Sequence, residues 1–315
     1  MEPTLPSSIE ENIADLIDGD KTIINSKLAE LSDMDSEGLR LFSHAWTQIE
    51  QGRRQLIINR LVELCEDNAE LNFDAIFTVC LNDEEAEVRS KAIEGLWENE
   101  EPSLIAPLIS LLYEDSSVEV QEAAAIALSK FTMLAELGDL RPTYADTLMK
   151  ALICALNEKD WTVKVQRRVL EAVAPFNQPQ VRTSIIKAYN SNNTDLKTSA
   201  IYAMGKNCDP SWIPTLINEL SSVNNEIRYE AAHACGEIGE EETVPPLMEL
   251  IDDPDINIQL AAIQSLGKIG GAKAKNILED CVKNPSSDVV SQAIEQALNQ
   301  LEAEADPLSI KMRNV

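Results

Sequence analysis

At 315 residues the chain is long enough for two ordinary domains, and its 44% hydrophobic content supplies ample core, yet only 4% is aromatic and Ala and Leu together carry nearly half of the apolar load, a helical composition. The 54 acidic against 26 basic residues leave a formal net charge of -28, which repels nucleic-acid phosphates and anionic lipid surfaces and so speaks against both as partners. No apolar run approaches the roughly 20 residues that span a bilayer, the first residues carry no basic leader, and the six cysteines are scattered without a C-x-x-C pair; a cytoplasmic monomer with reduced, mostly core cysteines is expected.

The stretch IADLIDGD, residues 13–20, reads as a short helix and a turn, followed by a weak apolar stripe at Ile24, Leu28 and Leu31. A stronger pattern then recurs, in which a branched apolar marker is followed by a small or apolar residue four and eight places later. It appears at Ile57, Leu61 and Cys65; Val88, Ala92 and Leu96; Val120, Ala124 and Leu128; and Val165, Val169 and Val173. It continues at Leu196, Ala200 and Met204; Ile227, Ala231 and Cys235; Ile258, Ala262 and Leu266; and Val289, Ala293 and Ala297. The markers are 31, 32 and 45 residues apart, then 31 four times running. At 100° per residue places 0, +4, +7 and +8 share one face, so each marker helix presents an apolar stripe. Place +7 is small at Gly95, Ala127, Ala172, Ala203 and Ala234, which permits close approach of a neighbouring helix.

Upstream of each marker lies a partner helix, as in SLIAPLISLLYED, SWIPTLINELSS and VPPLMELIDD, with Leu216, Leu247 and Leu278 one period apart. Acidic or amide turns such as NDEE, EDSS, SNNT, DDPD and NPSS join the two; Pro254 and Pro285 end the first helix, and Gly236, Gly239, Gly267 and Gly270 are expected to close the second. Each unit is a helical hairpin that cannot bury its stripe alone and does so by stacking. The prediction is an all-α solenoid of stacked antiparallel hairpins, about nine of them in one domain over residues 1–302 and clearest over 70–302, with about two-thirds helix or more and almost no strand. Around residues 132–145 some extra residues, TMLAELGDLRPTYAD, either lengthen a helix and its loop or form a binding loop; residues 303–315 leave the pattern as an expected disordered tail.

The run D-x-x-x-x-V-R-x-x-A-x-x-x-L in NDEEAEVRSKAIEGLW, with its counterparts at NNEIRYEAAHACGEIGEE and DDPDINIQLAAIQSLGKIGG, resembles HEAT repeats. It is similar in particular to the short bacterial class named after phycobilisome lyases. The shared residues are core and turn positions, so the resemblance implies the fold and leaves function to be read from the site. Active relatives of this fold are tested by their own residues. Deoxyhypusine hydroxylases use several His-Glu pairs for a di-iron site, whereas this chain has only His44 and His233, neither followed by Glu; no metal and no cofactor is expected. HEAT-like DNA glycosylases present a basic surface, at odds with the charge here. GKIGGAK lacks P-loop spacing, and no G-x-S-x-G, H-E-x-x-H or Cys-His arrangement is present, so no catalytic residue is proposed.

The resemblance implies that the second helices line a concave groove, and on them places +2 and +6 lie opposite the stripe. Tyr202, Tyr229, His233 and Leu260 stand there on three successive helices, and Trp97, at +9, is a similar outlier; large aromatic side chains are the usual anchors of protein interfaces. Acidic runs at EDNAEL, NDEEAE, WENEEPS and GEEET would steer a basic surface toward the chain. The expected function is a non-enzymatic scaffold binding another protein, with a phycobilin lyase-like subunit or other maturation factor as the alternative.

Overall fold

The apolar stripes become paired helices. The computed structural model describes residues 9–158, 160–283 and 285–305, and about three quarters of the chain is helical, with no strand among the described residues. It divides into two compact units, residues 1–151 and 152–315. The first holds α1 (Ile9–Ile17), α2 (Asn25–Ala29), α3 (Ser36–Trp46), α4 (Gln51–Asp67), α5 (Asp74–Cys80), α6 (Ala86–Gly95), α7 (Ile105–Glu114) and α8 (Val118–Leu137), and the division falls within α9 (Pro142–Ala155). The second holds α10 (Val163–Val173), α11 (Pro179–Tyr189), α12 (Thr194–Asn207), α13 (Ile213–Glu219), α14 (Asn225–Ile238), α15 (Val244–Glu249), α16 (Ile256–Ile269), α17 (Gly271–Cys281) and α18 (Asp288–Ala305). No helix among the described residues is long and apolar enough to cross a membrane. The tail assigned to disorder lies outside the described residues from 306 onward, while 303–305 continue α18.

In the second unit α10, α12, α14, α16 and α18 pack one on the next, and α11, α13, α15 and α17 each cover the second helix of their own hairpin. In the first unit α4, α6 and α8 form the corresponding layer. Marker residues Ile57, Val88, Val120, Val165, Ile227 and Ile258 and their +4 partners are buried throughout. The joining turns act as N-caps: the side chains of Ser117, Thr162, Asn193 and Asn224 accept from the amides of Val120, Val165, Leu196 and Ile227, three residues on. Each such cap is worth about 1 kcal/mol.

Three details depart from the sequence reading, and a fourth, the lengthened α8, matches one of the two alternatives given for the extra residues. The last stripe is carried by Val290, Ile294, Ala297 and Leu301, while Val289 is half exposed, so the final step is 32 rather than 31 residues. Gly236 and Gly267 do not close their helices. Gly239 and Gly270, at φ 80° and 70°, follow α14 and α16, whereas a Cβ on Gly236 would lie 2.8 Å from Ser265 Cα. Likewise a Cβ on Gly205 would lie 2.7 Å from Ala234 Cα, so glycine at +9 allows its helix to touch the small +7 residue of the next. The extra residues near 132–145 extend α8 to 20 residues, ending in the left-handed Gly138, before a short loop to α9. Of the cysteines only Cys80 and Cys235 are buried, while Cys154 and Cys208 are exposed.

Successive hairpins are also tied by ion pairs that follow the repeat. The Arg89 guanidinium donates from Nε and Nη2 to Asp115 at 2.7 and 2.8 Å, and from Nη1 to the Asp83 carbonyl of its own turn at 2.7 Å. Arg228 repeats this in the second unit, donating to Asp253 at 2.8 and 3.1 Å and to the Ser222 carbonyl at 2.8 Å. Gln121 and Gln259, at the same place in their helices, keep the contact to their own turn, with the Asp115 and Asp253 carbonyls, and Gln259 also accepts from the Ser286 hydroxyl of the next hairpin at 2.9 Å.

Candidate functional site

On α14 the Asn224 cap sets the helical phase, which carries Tyr229 and His233 one turn apart on the side away from the buried Ile227, Ala231 and Cys235. The two rings meet edge to face, with centroids 4.6 Å apart at 68°. Tyr229 and Tyr202 each keep 37% of their surface in solvent, and His233 and Leu260 are half-buried. Three stacked helices, α12, α14 and α16, thus contribute Tyr202, the Tyr229–His233 pair and Leu260 to their outward side. Outwardness fails at one +2 place: Thr198 is buried, its hydroxyl donating to the Thr194 carbonyl. Trp97, 63% exposed, belongs to the first unit and so is not part of this group.

Charge frames the aromatic pair at both ends. Toward the helix C-termini, Glu237 accepts from Lys206 at 3.2 Å and from Lys268 at 2.6 Å, a rung joining three helices. Burial pushes the Glu237 carboxyl up, but those two ammonium groups outweigh it and hold it below the ordinary value. The Lys206 ammonium also lies 5.7 Å from the centre of the Tyr202 ring. Burial, with the Lys268 charge, lowers the His233 pKa and favours its neutral form.

Toward the N-termini opens a cleft of about 480 Å³, lined by Arg167, Asp195, Thr198, Asn225, Glu226, Tyr229, Glu230, Asp255, Asn257 and Ile258. Four carboxylates face one guanidinium there, and that guanidinium is engaged, donating from Nε to Ser199 Oγ at 2.8 Å. Ser199 in turn donates to Glu171 at 2.6 Å, and Arg168 holds the other oxygen of Glu171 at 2.8 Å. Sequence reasoning selected Tyr229 but missed Glu226, Glu230 and Asp255. Of these, Glu230 carries a signal in the sequence, since it stands at +3, between the stripe and the outward side.

Burial and the nearby Glu171 carboxylate push the Glu230 carboxyl up to about 7, against the opposing pull of Arg167. The folded chain therefore keeps this proton to a higher pH than the unfolded chain, whose glutamates titrate near pH 4 to 4.5. Stability contributed by this group is complete below about pH 4 and is lost as pH rises through about 7. The thermal midpoint is expected to fall between about pH 4.5 and 7.5, and Glu230→Gln to flatten part of that fall. Identical pH profiles for the two chains would show that Glu230 does not titrate there.

The comparisons with known proteins agree with this architecture. No curated protein matches the sequence. Among solved structures, yeast importin-beta is 10% identical with a TM-score of 0.57, over 96% of this chain and 47% of that one. The Kap95:Nup1 complex gives 11% identity and a TM-score of 0.55, over 96% and 47%. The chain thus spans about half the length of these two neighbours. The complex of CpcE and CpcF of phycocyanin lyase from Nostoc sp. PCC7120 gives 17% identity and a TM-score of 0.45, over 96% and 97%. At such identities these likenesses concern the fold alone. The family model of HEAT repeats matches residues 73–153 and 213–299, more than half of the sequence, and with the stacked hairpins above it establishes that the chain belongs to the HEAT-repeat family.

Proposed function

We propose that this chain is a non-enzymatic scaffold, a cytoplasmic monomer that holds a basic segment of a partner protein against the outward side of α12, α14 and α16. The observation that carries the reading is the Tyr229–His233 pair, half exposed at the edge of a cleft whose walls include Asp195, Glu226, Glu230 and Asp255. An aromatic pair supplies contact area at low entropy cost, and carboxylates beside it suit a lysine or arginine side chain. HEAT repeats commonly serve as protein-binding surfaces, which supports the coarser part of the proposal.

The test is a comparison of partners retained from the native host by the wild-type chain and by Tyr229→Ala. A partner bound through this face should contact it by a basic segment, bind less tightly as salt is raised, and lose about 2 kcal/mol with Tyr229→Ala, whose thermal midpoint should shift far less than that of a core substitution. Retention of the same partner at the same affinity by Tyr229→Ala would remove the face from the proposal. Co-purification of a coloured tetrapyrrole or a phycobiliprotein would instead favour the lyase-like maturation reading.

A further inference from the structure

In the first unit the outward side of the second-helix layer carries a different kind of cleft. Helix α6 has 10 residues against 20 for α8, about 15 Å against about 30 Å of length, so it stops well short of its neighbour. Beyond its end the chain places Trp97, 63% exposed, across from Ile126 of α8, 49% exposed. The space has a volume of about 510 Å³ and is lined almost wholly by apolar groups, with Ile93, Ala123 and Ala127 among them and Glu66 and Glu94 at its edge. Met133 and Leu137, 43% and 69% exposed, continue from Ile126 along α8 at helical spacing. Large apolar side chains grouped in this way, with polar residues around them, mark an interaction surface.

The charge around this cleft indicates what would cover it. Its one lining cation is Lys130, whose ammonium donates to the carbonyls of Leu96 at 3.3 Å, Trp97 at 2.9 Å and Asn99. Those contacts cap the end of α6 and use all three of its protons. Lys91 is committed to Glu94 at 2.7 Å. The loop after Trp97 adds Glu98, Glu100 and Glu101, all exposed. An apolar floor with an anionic rim complements an apolar side chain flanked by basic ones.

We propose that this cleft binds an amphipathic helix of a partner protein, its apolar face seated on Trp97, Ile126 and the α8 stripe and its Lys or Arg flank facing the Glu66, Glu94 and Glu98–Glu101 rim. The site is separate from the tyrosine face of the second unit and does not depend on it. Helix-in-groove recognition of this kind uses anchors at i, i+3 or i+4 and i+7, a period that the Ile126, Met133 and Leu137 stripe can match.

The probe is a labelled model peptide with a leucine face and a lysine face, titrated into the full chain at physiological ionic strength. Saturable binding is expected, weakened about tenfold or more by Trp97→Ala and by Ile126→Glu, and unaffected by Val223→Ser, at an exposed residue of the second unit that lines neither face. A peptide with its leucines replaced by serine, or its lysines by glutamate, should bind at least about tenfold more weakly. In the unaltered chain, hydroxyl-radical footprinting should show protection of Trp97 when the peptide is present, a readout that does not rely on any variant folding. Unprotected Trp97, equal binding by the two cleft variants, equal binding by the serine or glutamate peptide, or loss of binding in Val223→Ser would each overturn the proposal.

Discussion

Ala231→Asp is expected to destabilise the second unit by about 3 to 5 kcal/mol, the largest effect of any single substitution considered for this chain. Ala231 is fully buried on α14, in the layer where α12 and α16 pack from either side. A carboxylate there would lose its water with no designed partner, or would take up a proton and still leave polar atoms against apolar neighbours. Because domains of this size are stable by only about 5 to 15 kcal/mol, the thermal midpoint should fall by about 10 °C or more. Tyr229→Ala, two residues away on the outward side, removes a larger side chain and should shift the midpoint far less. Equal losses in calorimetry would mean that Tyr229 is held as core and would withdraw it as a binding residue.

Asp253→Ala should cost about 3 kcal/mol, because it strands a guanidinium that is itself almost wholly buried. Arg228 keeps only 13% of its side chain exposed and Asp253 only 6%, and their pair joins two hairpins 25 residues apart in sequence. Burial pushes the Asp253 carboxyl up, but the Arg228 hydrogen bonds and the Asp255 amide outweigh it and hold the pKa below the ordinary aspartate value. A carboxyl lowered in this way contributes stability above the unfolded value near pH 4, and that contribution is lost as pH falls through the folded value. Asp253→Ala should therefore destabilise the chain at neutral pH and shrink the acid-induced loss of stability. The Arg228→Met, Asp253→Leu double variant, with both charges removed, should recover part of the loss. Additive losses in the double variant would show that the pair is not coupled.

Much of this molecule is legible in one dimension, and the reason is its repeat. A period near 31 residues, an apolar stripe within each period and a polar turn before it fix helix, phase and hairpin, since a helix's inward and outward sides follow from 3.6 residues per turn alone. The capping by Ser117, Thr162, Asn193 and Asn224 obeys the same local rule, a short polar side chain three residues before the amide it accepts from. Tyr202, Tyr229 and Leu260 could be placed outside from phase, whereas Val289 could not: with two valines side by side, only the packing of α18 on α16 selects Val290.

What the tertiary structure alone decided concerns pairs of helices. Gly236 and Gly267 look like helix stops in sequence, and only the neighbouring backbone, within 2.8 Å of an added Cβ at Gly236, makes glycine a requirement of the crossing. Arg228 reads as a surface charge until Asp253 of the next hairpin is set against it. Burial within the stack, with Glu171 of another helix adding to it, is what pushes the Glu230 carboxyl up to about 7. The cleft beside Trp97 exists because α6 ends before α8 does, a difference in length that becomes a space only when the two helices lie side by side. Periodicity determines which side of one helix is buried; contacts across the stack determine what each outward residue meets, and no spacing within a single helix encodes them.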